Sequence, residues 1–237
     1  LPKCRKIITV SHFECNRIRE TLHLPENKIM AIYNGFSNHF QPLDNIETVT
    51  QKYIPVTGYL FFLGNTDPKK NTPRTLKAYY SYLQQSNEKR PLLIADLKPE
   101  FVDEMLKETG LENIRPYLYL SGYISNTDLP FIYNGAFAFL YTSLRESFGI
   151  PLLEAMACGI PVITSDTSSM PEIGGEGAIL TDPTNERSIA AQLLLLEQDK
   201  EYYQKQSAYG LGRAKCFSWE QTARELLKLY QSTVKSK

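Results

Sequence analysis

Residues 136–164 read AFAFLYTSLRESFGIPLLEAMACGIPVIT, and the order of textures within them decides the fold. Ala136-Phe-Ala-Phe-Leu-Tyr141 is apolar throughout, as expected of a strand whose sheet is covered on both faces. Pro151-Leu-Leu-Glu-Ala-Met-Ala157 has helical texture, with a proline suited to the first turn, and Gly159 suits the position just past the helix end. Pro161-Val-Ile-Thr164 is a second short strand. Strand, helix and strand in such close order make a βαβ unit, whose strands lie parallel.

The same alternation extends outward in both directions. Further strands are predicted at 7–10, 28–33, 59–63, 91–96 and 117–121, with a short one at 178–180. Helices are predicted at 13–22, 72–84, 99–109, 127–133, 151–157, 186–198, 200–216 and 219–234. Pro99 and Gly110 punctuate one of these helices, and Ser218 with Gln221 three residues on forms a capping box for the last. Residues 38–57, with Pro42 and Pro55, read as a loop joining an N-terminal piece to the main unit. The fold class is therefore α/β, an open doubly wound parallel sheet with helices on both faces.

Composition bounds the function. The chain has 237 residues, 42% hydrophobic and 22% charged, with 26 Lys+Arg against 26 Asp+Glu. This is ordinary globular composition, and a zero net charge argues against an electrostatic nucleic-acid binder. Cys4, Cys15, Cys158 and Cys216 are scattered without a C-x-x-C pair, so neither a zinc ribbon nor a disulfide framework is indicated. No apolar run approaches the roughly 18 residues of a membrane span, and the chain reads as cytoplasmic. It begins at Leu1 inside a developing strand, which is expected of a piece of something longer. His12, His23 and His39 lack metal-ligand spacing, Asp-x-Asp and Gly-x-Ser-x-Gly do not occur, and Gly174-Gly-Glu-Gly177 lacks the dinucleotide spacing. No metal site is expected.

In an open doubly wound sheet, ligands bind outside the carboxyl ends of the strands. Three strand-to-helix loops there carry unusual chemistry. Gly64-Asn-Thr-Asp-Pro-Lys-Lys-Asn71 brings Lys69 and Lys70 to a helix N-terminus, a plausible phosphate site, although Asp67-Pro68 also suits a plain solvated turn. Glu146-Ser-Phe-Gly-Ile-Pro-Leu-Leu-Glu154 places one carboxylate in the loop and one in the first helical turn, if that helix starts at Pro151. Backbone N–H groups from Phe148 to Leu152 would lie between them, a mixture suited to a ligand with both phosphate and sugar hydroxyls. A first-turn glutamate is, however, favoured by the helix dipole alone. Ser121-Gly-Tyr-Ile-Ser125 offers glycine and an aromatic at a strand end, fitting either a flat base or an ordinary turn.

Taken in order, these segments resemble the C-terminal half of a family 4 glycosyltransferase (glycosyl transferases group 1) with the two-Rossmann-domain GT-B architecture. The run from Glu146 to Ser165 matches that family's Glu-x7-Glu signature and its continuation. Support comes from Ile8-Thr-Val-Ser11, Ile32-Tyr-Asn-Gly35, Gly64 with Pro68-Lys-Lys-Asn71, Met170-Pro-Glu-Ile173 and Phe217-Ser-Trp-Glu220. The resemblance implies a Rossmann-like domain that takes part in metal-independent transfer of a sugar from a nucleotide-sugar donor to an acceptor hydroxyl, with retention and no cofactor. It gives Glu146 to the donor-sugar hydroxyls, Glu154 to the ribose and Lys70 to the diphosphate. Backbone of Ser147, Phe148, Gly149, Ile150 and Leu152 would bind sugar and phosphate, and Gly122, Tyr123 and Ile124 the base.

Two departures stand out. The family usually has an arginine shortly after the glycine matching Gly64, where this chain has Asn65, so Lys69 is expected to supply that charge. The N-terminal Rossmann domain that carries acceptor contacts is also missing. Residues 1–40 then read as the inter-domain segment leading from it, 41–216 as the donor-binding domain, and 217–237 as a C-terminal helix packing toward the missing domain. Such a fragment is expected to be inactive alone and to expose an apolar face. The acceptor, whether glycan, lipid-linked or protein, is unspecified, and a lipid-linked one would bring the enzyme to the inner membrane face. A sugar-nucleotide epimerase of the same architecture and a non-catalytic nucleotide-binding module are the alternatives; the glutamates and Lys70 favour transfer.

Overall fold

The computed structural model describes residues 4–235. The expected segments 1–40 and 217–237 include residues 1–3 and 236–237, which lie outside the described residues. The chain opens with β1 (Ile7–Thr9), α1 (His12–Thr21) and β2 (Ile29–Ala31), the two strands pairing in parallel as a small sheet of their own. After the short α2 (Glu47–Thr50) come β3 (Tyr59–Leu63), α3 (Thr72–Leu83), β4 (Leu92–Ala95), α4 (Pro99–Thr109), β5 (Leu118–Gly122), α5 (Leu129–Gly135) and β6 (Ala136–Tyr141). Then follow α6 (Ile150–Ala157), β7 (Val162–Ser165), α7 (Met170–Gly174), β8 (Ile179–Thr181), α8 (Glu186–Gln198), α9 (Lys200–Ala214) and α10 (Trp219–Lys235). The main sheet is six-stranded and wholly parallel, in the order β5-β4-β3-β6-β7-β8.

Side-chain alternation along the strands builds two cores. Tyr59, Phe61, Leu93, Phe139 and Tyr141 face one cluster, with Leu152 and Met156 of α6 and Ile132 and Tyr133 of α5. Leu60, Phe62, Ile94 and Leu140 face the other, with Leu76 and Tyr79 of α3, Val102 of α4 and Leu193 of α8. The strands read as continuous apolar runs because each is buried on both sides.

Several expected boundaries move, for local reasons. α5 starts at Leu129 rather than 127, because Ser125 closes a turn that accepts the Asp128 N–H and places Pro130 in the first helical turn. The region expected to be pure loop holds α2, a single helical turn whose Thr50 bonds back to Ile46 and Glu47. Of the capping box, only half forms: Ser218 Oγ accepts from the Gln221 N–H at 3.1 Å, while the Gln221 amide turns to Glu225. α10 returns to the N-terminal segment, where the Thr222 hydroxyl donates to the Tyr33 carbonyl at 2.6 Å. Trp219, Leu227 and Tyr230 of α10 are exposed.

Candidate functional site

From β3 the chain runs outward through β4 to β5, then crosses back to β6 on the opposite side of β3. The loops leaving β3 and β6 therefore diverge at the carboxyl edge, the switch point where such sheets leave a crevice. They are bound together at their base: the Leu144 N–H donates to the Lys69 carbonyl at 2.7 Å, and Asn71 Nδ2 donates to the Thr142 carbonyl at 3.0 Å.

Asp67 shapes the first loop by accepting from the Lys69 N–H at 2.9 Å, with Pro68 opening a single 3-10 turn. That turn sends the two lysines in different directions. Lys70 Nζ lies 2.7 Å from Glu146 Oε1 and 5.3 Å from the centre of the Tyr141 ring. Lys69 is exposed and pairs with Asp67 at 3.3 Å. Lys69 thus does not stand beside Lys70 as a second charge facing Glu146. Asn65 is exposed, its Oδ1 accepting from the Asp67 N–H, and Gly64 is buried, its N–H donating to the Ala95 carbonyl.

In the second loop, Glu146 is held at both ends of its backbone: its N–H donates to Ser168 Oγ at 3.2 Å and its carbonyl accepts from Ser169 Oγ at 2.9 Å. Gly149 caps α6 at φ +91°, where a Cβ would also meet Met170 Cε at 2.6 Å, so glycine alone fits this bend. α6 begins at Ile150, which carries Glu154 just past the first turn where it was expected. Leu152 departs from expectation: its N–H is bonded to the Gly149 carbonyl at 3.1 Å, and Pro151 has none to offer. Ahead of Pro151, the amides between the glutamates are those of Ser147 to Ile150. Phe148 and Leu152 side chains are buried, so any role for these residues runs through backbone.

Burial pushes the Glu154 carboxyl up to about 7, with the Tyr133 hydroxyl, 3.4 Å away, pulling in the opposite direction. Burial also pushes the Cys158 thiol up to about 12, the Glu154 charge adding to it. The Tyr141 phenol is raised well above its ordinary value by burial and by the charges of Glu146 and then Glu154.

On the other side of β3, Ile124 is buried, Tyr123 is 75% exposed, and the Gly122 carbonyl accepts from the Asp96 N–H at 2.9 Å. Asp96 was expected as the end of a strand. It stands instead in left-handed backbone beyond β4, its carboxyl raised by desolvation while Lys70 draws it down. A lone acid closing the apolar run Leu92-Leu-Ile-Ala95 at the ligand edge was the signal for it. Among the described residues, no cluster of His, Cys, Asp or Glu is placed to hold a metal ion, and no helix is long and apolar enough to cross a membrane.

Residues 55–213 match the model of the family described as glycosyl transferases group 1. The O-antigen chain mannosyltransferase B of Escherichia coli is 32% identical over 235 residues, 98% of this chain and 61% of that protein. The serotype-specific mannosyltransferase WbdA of the same species is 26% identical over 92% of this chain and 27% of its own length. The chain therefore spans less than two thirds of these relatives. Among solved structures, a glycosyltransferase from Rickettsia africae superposes with a TM-score of 0.83 at 20% identity, over 98% of this chain and 64% of that one. Anabaena HepE, solved in complex with UDP and glucose, superposes with a TM-score of 0.82 at 17% identity, over 97% and 63%.

Proposed function

Because the chain belongs to the glycosyl transferases group 1 family, we propose that it is the donor-binding part of a retaining, metal-independent transferase that moves a hexose from a nucleotide sugar to an acceptor hydroxyl. The observation that carries this reading is the meeting of Lys70 and Glu146 at the sheet's switch point. In transfer, the bond between the anomeric carbon and the diphosphate oxygen breaks, and its electron pair stays on that oxygen. The Lys70 ammonium neutralises the charge developing there, an electrostatic role that a metal fills in other enzymes. The acceptor oxygen bonds to the anomeric carbon, and its proton passes to the departing diphosphate oxygen.

Glu146 accepts hydrogen bonds from hydroxyls of the transferred sugar, and Glu154 from the ribose. The amides of Ser147 to Ile150 lie toward the sugar and phosphates, and Gly122 to Ile124 line the base. Lys69 and Asn65, both exposed on the first loop, complete the donor-binding set with Gly64. The relatives' names support mannose as the sugar, and the first supports an O-antigen chain as acceptor. On this reading the reaction takes place in the cytoplasm, where a lipid-linked acceptor would bring the enzyme to the inner membrane face.

The test is a transfer assay in which GDP-mannose, UDP-glucose and ADP-glucose are each offered with a glycan acceptor to the full-length protein that carries this chain, with magnesium or with EDTA. Glycosylated product in EDTA supports the reading; donor consumed without product, or an epimerised donor, overturns it.

A further inference from the structure

The turn that opens α1 grips the signature loop at a place distant in sequence. The Ser11 hydroxyl caps α1, accepting from the Glu14 N–H at 3.2 Å, and donates to the Ser147 carbonyl at 2.7 Å. Glu14 is only 5% exposed. Its Oε1 accepts from Arg145 Nη2 at 3.3 Å and from Ser147 Oγ at 3.2 Å, and its Oε2 accepts from Arg17 Nε and Nη2 at 3.0 and 2.9 Å. Burial raises this carboxyl, but the Arg17 and Arg145 bonds outweigh it, and the net shift is downward.

A second contact closes the arrangement. The two oxygens of Glu172, on α7, accept from the His12 and Phe13 N–H groups at 2.7 and 2.8 Å, the first free donors of α1. Glu146 is flanked on both sides: residues 145 and 147 are tied to α1, while its own N–H and carbonyl are tied to Ser168 and Ser169, which lead into α7. A carboxylate this buried is costly unless its lone pairs are used, and here Oε2 is taken by Arg17 of the same helix while Oε1 is directed at the two neighbours of Glu146.

We propose that Glu14 is a positioning residue of the donor site, holding Arg145 and Ser147 so that Glu146 and the Ser147 and Phe148 amides face the transferred sugar. The inference rests on the donor-site reading above. It makes α1 serve one end of the ligand only: α1 holds the loop around Glu146, whereas Glu154 and the Gly122 to Ile124 loop lie on other elements. Losing Glu14 should therefore weaken recognition of the sugar and spare that of the nucleoside diphosphate.

Calorimetric titration of the purified chain tests this, with GDP, UDP and ADP against GDP-mannose, UDP-glucose and ADP-glucose. For the base that binds, Glu14→Ala should weaken the nucleotide sugar at least fivefold more than the bare diphosphate. Glu14→Gln, which keeps an acceptor oxygen, should recover part of the difference. Arg145→Ala, a truncation of an exposed side chain that spares folding, should produce the same selective loss, and the double variant Glu14→Ala with Arg145→Ala should be no worse than Glu14→Ala. An equal loss for sugar and diphosphate, or none, in the folded variants overturns the proposal; if Glu14→Ala does not fold, Arg145→Ala decides by the same ratio. Failure of the unaltered chain to bind any of the six ligands would defeat the donor-site reading and this inference together, whereas normal binding with an unchanged ratio in the variants defeats this inference alone.

Discussion

Lys70 Nζ and Glu146 Oε1 stand 2.7 Å apart across the boundary between β3 and β6, with side-chain exposures of 29% and 17%. The two residues come from loops 76 positions apart in the chain and meet because the order of strands reverses there. On the proposed reading, a nucleotide sugar entering the crevice would exchange this pair for two ligand contacts, the ammonium turning to phosphate and the carboxylate to hydroxyls. The pair keeps both charges partnered until then.

Lys70→Ala should weaken nucleoside diphosphate binding about 10- to 100-fold, the worth of one charge-assisted contact at about 1.5–3 kcal/mol. Circular dichroism should remain native, since Lys70 sits in a loop. Titration calorimetry checks the affinity; an unchanged Kd would remove Lys70 from the diphosphate site.

Glu154 gives a pH dependence. Its folded-state value of about 7 lies above the ordinary 4.5, so the folded chain holds a proton that the unfolded chain has lost between those values. Stability conferred by the protonated form is fully present below about 4.5 and is lost as pH rises to about 7, a change on the order of 3 kcal/mol. Glu154→Gln should therefore melt progressively higher than the unaltered chain as pH rises through that window. Melting curves at pH 5 and pH 8 check it.

Ribose hydroxyls donating to Glu154 would favour its charged form, so donor binding should release a proton and tighten as pH rises toward 7. Calorimetry in two buffers of different ionisation enthalpy measures that proton directly. The Tyr133 hydroxyl draws the Glu154 value down, so Tyr133→Phe should shift the midpoint of this dependence to higher pH.

Gly35 reports on α10. A Cβ there would meet Trp219 N at 2.1 Å and Ser218 C at 2.4 Å, backbone against backbone, so Gly35→Ala must push the start of α10 away. The cost should be about 1–3 kcal/mol. Trp219 is the only tryptophan, so its emission should shift to the red as the helix loosens; an unshifted spectrum with an unchanged Tm would contradict the packing.

The parts legible in sequence were those written in local texture. Leu92-Leu-Ile-Ala95 and Ala136-Phe-Ala-Phe-Leu-Tyr141 name central strands because burial on both faces leaves no polar positions, and the Glu-x7-Glu run lies on one loop and the helix after it. What was not legible depends on contacts between distant segments. Nothing near Glu14 in sequence marks it for burial, because Arg145 and Ser147 reach it across more than 130 positions. The divergence of Lys69 from Lys70 follows from a 3-10 turn set by Asp67, which two adjacent lysines do not announce. α7 is too short for helical periodicity to appear, and it matters because Glu172 caps a helix 159 and 160 positions away.

On the proposed reading, this crevice holds a nucleotide sugar. Titrating the purified chain with GDP-mannose, UDP-glucose and ADP-glucose in EDTA tests it most directly. Binding selective for one base, lost in Glu154→Ala and weakened in Lys70→Ala, is the predicted result; saturable binding that persists unchanged in both variants would contradict it.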